Sequence, residues 1–143
     1  MTVATILKTK GNNIVTANVG ESVADTAVLL AKYKIGAVLV LDKTGKVTGV
    51  LSERDIVRAL ATSGSGCLNQ NVEDLMTKDV ICCAPSDTID EVMALMTDRR
   101  IRHLPVMDGS ELKGFISIGD VVKRRISDVE QEAAAMRDYI ATG

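Results

Sequence analysis

The feature that most limits the folds open to this chain is a repeat of its own sequence. Slid along itself by 65 to 66 residues, Gly49-Val50-Leu51-Ser52-Glu53-Arg54-Asp55-Ile56-Val57 falls on Gly114-Phe115-Ile116-Ser117-Ile118-Gly119-Asp120-Val121-Val122. Upstream, residues 35–41 fall on residues 101–107, each run followed by an aspartate, Asp42 and Asp108. The register slips by one because the turn Lys43-Thr44-Gly45-Lys46 is one residue longer than Gly109-Ser110-Glu111, and a length change confined to a turn leaves its strands intact. A period longer than that of solenoid repeats points to duplicated half-domains. With 143 residues, 46% of them apolar, the chain has the material to bury a core in this way.

Each copy reads β-α-β-β-α. A short strand is expected at residues 14–17 and again at 80–83. A helix follows, opened by the capping spacings Ser22-x-x-Asp25 and Thr88-x-x-Glu91 and continued by Val23, Ala27 and Leu30, or by Ile89, Val92, Met93 and Met96. Apolar runs at 37–41 with 47–51, and at 104–107 with 112–116, read as hairpins. Helices over 53–62 and from 118 onward close the copies, and short helical pieces at 3–7 and 72–76 precede them. Ser63-Gly64-Ser65-Gly66 reads as a flexible linker. The fold class is therefore α+β, with domains at 1–62 and 72–126, a linker at 63–71 and a helical tail at 127–143.

Composition removes several functions. Seventeen basic against nineteen acidic side chains give a net charge of −2, which lacks the cationic excess that a phosphate backbone demands. Tyr33, Phe115 and Tyr139 are too few rings to stack a single strand, so no nucleic-acid partner is expected. The start of the chain lacks the pattern of a signal peptide and no apolar run reaches the length of a membrane span, so a cytoplasmic protein without a membrane partner is expected. Cys67, Cys82 and Cys83 cannot all pair with one another, and with His103 they match no zinc-ligand spacing, so neither disulfide nor metal is expected.

The spacing Gly-x-x-Ser-x-x-Asp recurs at Gly49, Ser52, Asp55 and at Gly114, Ser117, Asp120, where a strand runs into a helix. Two readings stand. A serine at a helix start with an acid three residues on is a capping box, which needs no ligand. The same turn offers unpaired N–H groups and a partial positive charge to a phosphate, while the aspartate accepts hydrogen bonds from a ribose diol.

The order β-α-β-β-α, Met96-Thr97-Asp98-Arg99-Arg100-Ile101-Arg102-His103-Leu104-Pro105-Val106-Met107-Asp108, and Leu7-Lys8-Thr9-Lys10-Gly11 with Ser52-Glu53-Arg54-Asp55 resemble a tandem pair of cystathionine β-synthase (CBS) domains, similar to the single-pair proteins of bacteria and plants. The resemblance implies two CBS domains packed as a pseudo-twofold pair, with clefts for an adenosine nucleotide: AMP, ADP, ATP or NAD(H). It implies ribose and phosphate contacts from Ser52 with Asp55 and from Ser117 with Asp120. Base contacts would come from the backbone near Val15, Thr16, Ile35, Gly36 and Ala37 in one cleft, and near Ile81, Cys82, Ile101, Arg102 and His103 in the other.

Phosphate donors are sought in the run Arg99, Arg100, Arg102 and His103, which is basic inside an acidic half, and in Arg54, Lys8 and Lys10. Arg99 and Arg100 also suit the negative pole of a helix that ends there. Ile118-Gly119 replaces Glu53-Arg54, so the two clefts are not equivalent. From Val122 the apolar positions Val122, Ile126, Val129, Ala133, Met136 and Ile140 form a heptad seam, too short to stand alone, which favours a homodimer. The expected function is a non-catalytic energy or redox sensor that modulates an unidentified partner protein. The alternatives are an interaction scaffold without a ligand, and a thiol enzyme with Cys82 or Cys83 as nucleophile and His103 as base.

Overall fold

A computed structural model describes residues 1–11 and 13–142 and divides the chain into two compact units, residues 14–81 and residues 1–13 with 82–143. The chain opens with α1 (Val3–Lys10), which belongs to the unit built by the second repeat.

In the unit of residues 14–81, β1 (Thr16–Asn18) leads through α2 (Val23–Tyr33) to β2 (Ala37–Leu41), β3 (Val47–Ser52), α3 (Glu53–Ser63) and α4 (Val72–Leu75). β1 lies parallel to β2, and β2 antiparallel to β3 with Ala37 opposite Ser52. α2 starts where Ser22 Oγ accepts the Asp25 N–H at 3.1 Å, and it ends at Lys34, whose φ of 54° lets the Ile35 N–H reach Leu30 O at 3.0 Å. Val23, Leu30, Val38, Val40, Leu51, Ile56 and Val72 form the core.

The other unit repeats this plan with α5 (Ile89–Arg99), β4 (His103–Asp108), β5 (Glu111–Ser117) and α6 (Ile118–Thr142). α5 starts on Thr88, whose Oγ1 accepts the Glu91 N–H, and ends at Arg100, again at φ 54°, with the Ile101 N–H on Met96 O at 3.0 Å. Its buried residues include Val3, Ile89, Val92, Met96, Leu104, Val106, Ile116 and Val121.

Two expectations are corrected. The strand expected at 80–83 is a single parallel bridge, Cys83 to Val106, so β4 and β5 form a two-stranded sheet. Cys83 N–H meets Pro105 O at 3.0 Å and Met107 N–H meets Cys83 O at 2.8 Å. The next bond toward residue 81 would need the N–H that Pro105 lacks. The Gly/Ser linker is also structured. It forms a 3₁₀ helix, Gly64–Asn69, started by Gly64 at φ 72° and anchored by the buried Cys67.

The short helices cross over between the repeats. Val72 N–H bonds Glu21 O at 2.9 Å and Val23 N–H bonds Gln70 O at 2.9 Å, which holds α4 in the first repeat's unit. Val3 N–H bonds Asp87 O at 2.9 Å and Ile89 N–H bonds Met1 O at 3.1 Å, which holds α1 in the second's. Each unit is thus completed by a helix that, along the sequence, precedes the other copy.

Candidate functional site

Both serine–aspartate turns fold as reciprocal capping boxes. Asp55 N–H meets Ser52 Oγ at 3.3 Å, while Asp55 Oδ2 accepts the Ser52 N–H at 2.9 Å and the Ser52 hydroxyl at 3.0 Å. In the second copy Asp120 N–H meets Ser117 Oγ at 3.2 Å, and Asp120 Oδ2 accepts the Ser117 N–H at 2.8 Å. The strand ahead is fastened to each turn in the same way, with Glu53 N–H on Gly36 O at 2.9 Å and Ile118 N–H on Arg102 O at 2.8 Å.

Capping leaves room for a ligand. In both turns one carboxylate oxygen, Oδ2, does the capping, and a carboxylate has roughly four lone-pair sites. Arg58 stands 4.0 Å from Asp55 Oδ1, and among the described residues no hydrogen bond reaches Asp120 Oδ1. That oxygen is the one a ribose diol would address.

The turns differ in their cations. Lys10, from α1, donates to Asp120 Oδ2 and to Phe115 O, both at 2.7 Å. A cavity of about 340 Å³ opens here, lined by Ile6, Thr9, Lys10, Asp120, Lys123 and Arg124 among others, so three cationic side chains line the cavity that Asp120 borders, Lys10 bonded to Asp120 and Arg124 to Asp128. Burial by itself would raise the Asp120 pKa, but the Lys10 ammonium and the Ser117 N–H outweigh it and hold the group below the ordinary 3.8. A folded value lower than the unfolded one adds stability that is complete above pH 3.8 and fades as pH falls through the folded value. Lys10→Met is therefore expected to unfold at lower denaturant than the parent at pH 7, with the gap narrowing once pH falls below 3.8; parallel denaturant titrations at neutral and acid pH check it.

In the first unit, Ile35, Gly36 and Glu53 line a cavity of about 480 Å³ between α2 and α3, bordered by Leu30, Lys34 and Ile56. Ser52 and Asp55 do not line it. Thr16 begins β1 opposite Leu39, Ala37 is buried opposite Ser52, and Arg54 is exposed on the first turn of α3.

In the second unit His103 sits opposite Ser117 and stacks on Phe115, with ring centroids 5.6 Å apart. Arg99 is the last residue of α5 and Arg100 its left-handed cap, as the helix-end reading requires. Arg102 occupies the bend before β4 rather than the strand itself, and Ile118 and Lys8 are exposed. Among the described residues no ion pair holds Arg99, Arg100 or Arg102. Cys82 is exposed beside the buried Cys83. Burial pushes the Cys83 thiol up to about 12, which leaves it protonated at neutral pH.

The partner of Asp120 was the part of the site hardest to anticipate. A lysine beside Gly11 carries no local signal that it will meet a carboxylate from the far end of the chain; only the crossing-over of α1 brings it there.

The CBS domain profile matches residues 3–62 and 72–127. This chain belongs to the CBS domain family. The CBS pair is similar to the CBS-domain protein ATU1752 from Agrobacterium tumefaciens, with 44% identity, a TM-score of 0.85 and coverage of 87% of this chain and 92% of that one. It is 30% identical to the mitochondrial CBS domain-containing protein CBSX3 of Arabidopsis thaliana, over 99% of this chain and 73% of the relative. The CBS pair of protein MJ0100, solved in complex with 5′-methylthioadenosine and S-adenosyl-L-methionine, superposes with a TM-score of 0.79 at 26% identity, over 90% of this chain and 98% of that one. Among the described residues no helix is long and apolar enough to cross a membrane, and no group of three or more His, Cys, Asp or Glu is placed to hold a metal ion.

Proposed function

We propose that this CBS pair is a non-catalytic regulatory module that binds an adenosine nucleotide, AMP, ADP, ATP or NAD(H), at its serine–aspartate turns, and that it acts in the cytoplasm as a homodimer whose shape reports energy or redox state to a partner protein. The observation that carries this reading is the twin turn: two helix starts with the same reciprocal Ser–Asp bonding, each keeping one carboxylate oxygen out of the cap. The adenosine compounds bound by MJ0100 support the ligand class. The cations around Asp120 favour a ligand that carries phosphate over an uncharged nucleoside. Cys83, kept as a thiol, and Cys82, whose pKa partial burial also raises, both make poor nucleophiles, which argues against the thiol-enzyme alternative.

Sensing requires that the ligand bind one shape better than another. The primary test is thermal unfolding with a panel of adenosine compounds. A nucleotide at 100 times its dissociation constant is expected to add about 2.7 kcal/mol, and an unshifted transition across the panel at millimolar concentration returns the turns to capping alone and leaves a scaffold.

A further inference from the structure

α6 uses one face on its own unit and leaves another uncovered. Val121 and Asp128 are buried, and Arg124 Nε and Nη2 donate to Asp128 Oδ1 at 3.0 and 2.8 Å, which fixes that face. About a third of a turn around the helix, at about 100° per residue, Val122, Ile126, Val129, Met136 and Ile140 are 41–70% exposed. These side chains form an apolar stripe along one face of the helix, the kind of surface that a partner helix covers.

We infer that the cover is α6 of a second copy of this chain, lying parallel and in register with the first; the inference rests on the homodimer proposed above. Apolar spacing does not choose the direction. The seam Val122, Ile126, Val129, Ala133, Met136, Ile140 is spaced 4, 3, 4, 3, 4 and reads the same from either end about Gln131. The flanking charges do choose. Arg125, Glu132 and Tyr139 border the seam on one side, and Lys123, Glu130 and Arg137 on the other. In a parallel pair a residue on the first flank meets the residue five positions on in the second copy, so Arg125 meets Glu130 and Glu132 meets Arg137, each twice by symmetry. In an antiparallel pair centred on Gln131 the flanks meet like with like: Glu130 faces Glu130, Glu132 faces Glu132, and Lys123 falls beside Arg137. Each ion pair is weak by itself, but the change from attraction to repulsion at Glu130, Glu132 and Arg137 sets the orientation. Among the described residues the ion pair that Arg125 makes is a loose 3.6 Å link to the exposed Asp90, which a second copy can displace.

Cysteine cross-linking of the full chain decides the matter in a Cys82→Ser background, with Cys67 and Cys83 buried. The light-scattering mass is measured first. Parallel helices bring residue 133 to residue 133, so Ala133→Cys alone is expected to form a disulfide dimer on mild oxidation, as is Val129→Cys. An antiparallel pair sets 129 against 133, so cross-linking only in a mixture of the two variants, at a dimeric mass, overturns the parallel arrangement and keeps the dimer. A monomeric mass at tens of micromolar overturns the dimer itself. Glu132→Arg is expected to weaken the dimer by about tenfold, and adding Arg137→Glu to restore it; failure of the second change to rescue the first overturns the proposed charge pairing.

Discussion

Gly49→Ala is expected to lower the stability of the CBS pair by about 1–3 kcal/mol, and Gly114→Ala by clearly less, although the two glycines are equivalent in the repeat. A Cβ at position 49 would lie 2.5 Å from Met76 Sδ, 2.8 Å from Met76 Cγ and 2.9 Å from Thr77 O. The methionine can swing away, but the carbonyl cannot, because Thr77 O accepts the Val50 N–H at 3.0 Å and Thr77 N–H donates to Val50 O at 2.9 Å. Retreat would break the bridge that fastens the end of α4 to β3. At position 114 the three atoms nearest the new carbon all belong to Leu7, with Cδ2 at 2.5 Å and the next two at 3.6 Å, and a leucine tip can turn out of the way. Leu7 stands to Val3 as Met76 stands to Val72, so both glycines are seats for the crossed-over helices, one against a side chain and one against backbone. Urea midpoints of the two variants check the ranking; equal losses would mean that the bridge yields as easily as the leucine.

The seats show where the sequence was legible and where it was not. The order β-α-β-β-α could be read because each of its signals is local. Ser22, Ser52, Thr88 and Ser117 each sit at a helix start and accept the N–H three residues on, as the spacing predicts. What could not be read depends on distant partners. Residues 80–83 look like a strand, and the proline that stops their ladder lies more than twenty positions away, in the strand they would join. Ser63-Gly64-Ser65-Gly66 looks flexible by composition, and what orders it is Cys67 entering the core just after it. A short helix at the chain start gives no hint of the unit it will complete, and so Lys10 reads as a candidate phosphate donor beside Lys8, with nothing to show that it meets Asp120. Within the site, the serines and aspartates were visible as chemistry, whereas the Arg99-Arg100 end divided into a helix terminus and a left-handed cap.

Removing the carboxylate at either turn is expected to weaken adenosine-nucleotide binding at that turn by roughly ten- to a hundredfold, because charged hydrogen bonds to a ribose contribute about 1.5–3 kcal/mol. Capping alone predicts a different result. Asp120→Ala would also leave the Ser117 N–H and the Lys10 ammonium without their shared acceptor, so a loss of fold stability is expected on either reading and decides nothing. Asp120→Asn separates the two. It keeps an oxygen for the Ser117 N–H and so preserves most of the cap, but it puts a neutral amide, half donor, where the diol needs acceptors. Calorimetric titration is therefore expected to show weakened binding for Asn as well as Ala, with the Asn variant losing in urea at pH 7 about what Lys10→Met loses and less than the Ala variant, which also loses the cap. Asp55→Ala should leave the Asp120 turn at full affinity, since the two carboxylates stand in separate units. Unchanged affinity for Asp55→Ala, Asp120→Ala and Asp120→Asn alike would mean that the aspartates cap helices and hold nothing else. Lys10→Met provides the internal control: with its cation gone, binding of AMP should fall by more than binding of adenosine, because in the proposed site the ammonium beside Asp120 would act on the phosphate while the ribose would be held by the oxygen that Lys10 does not touch.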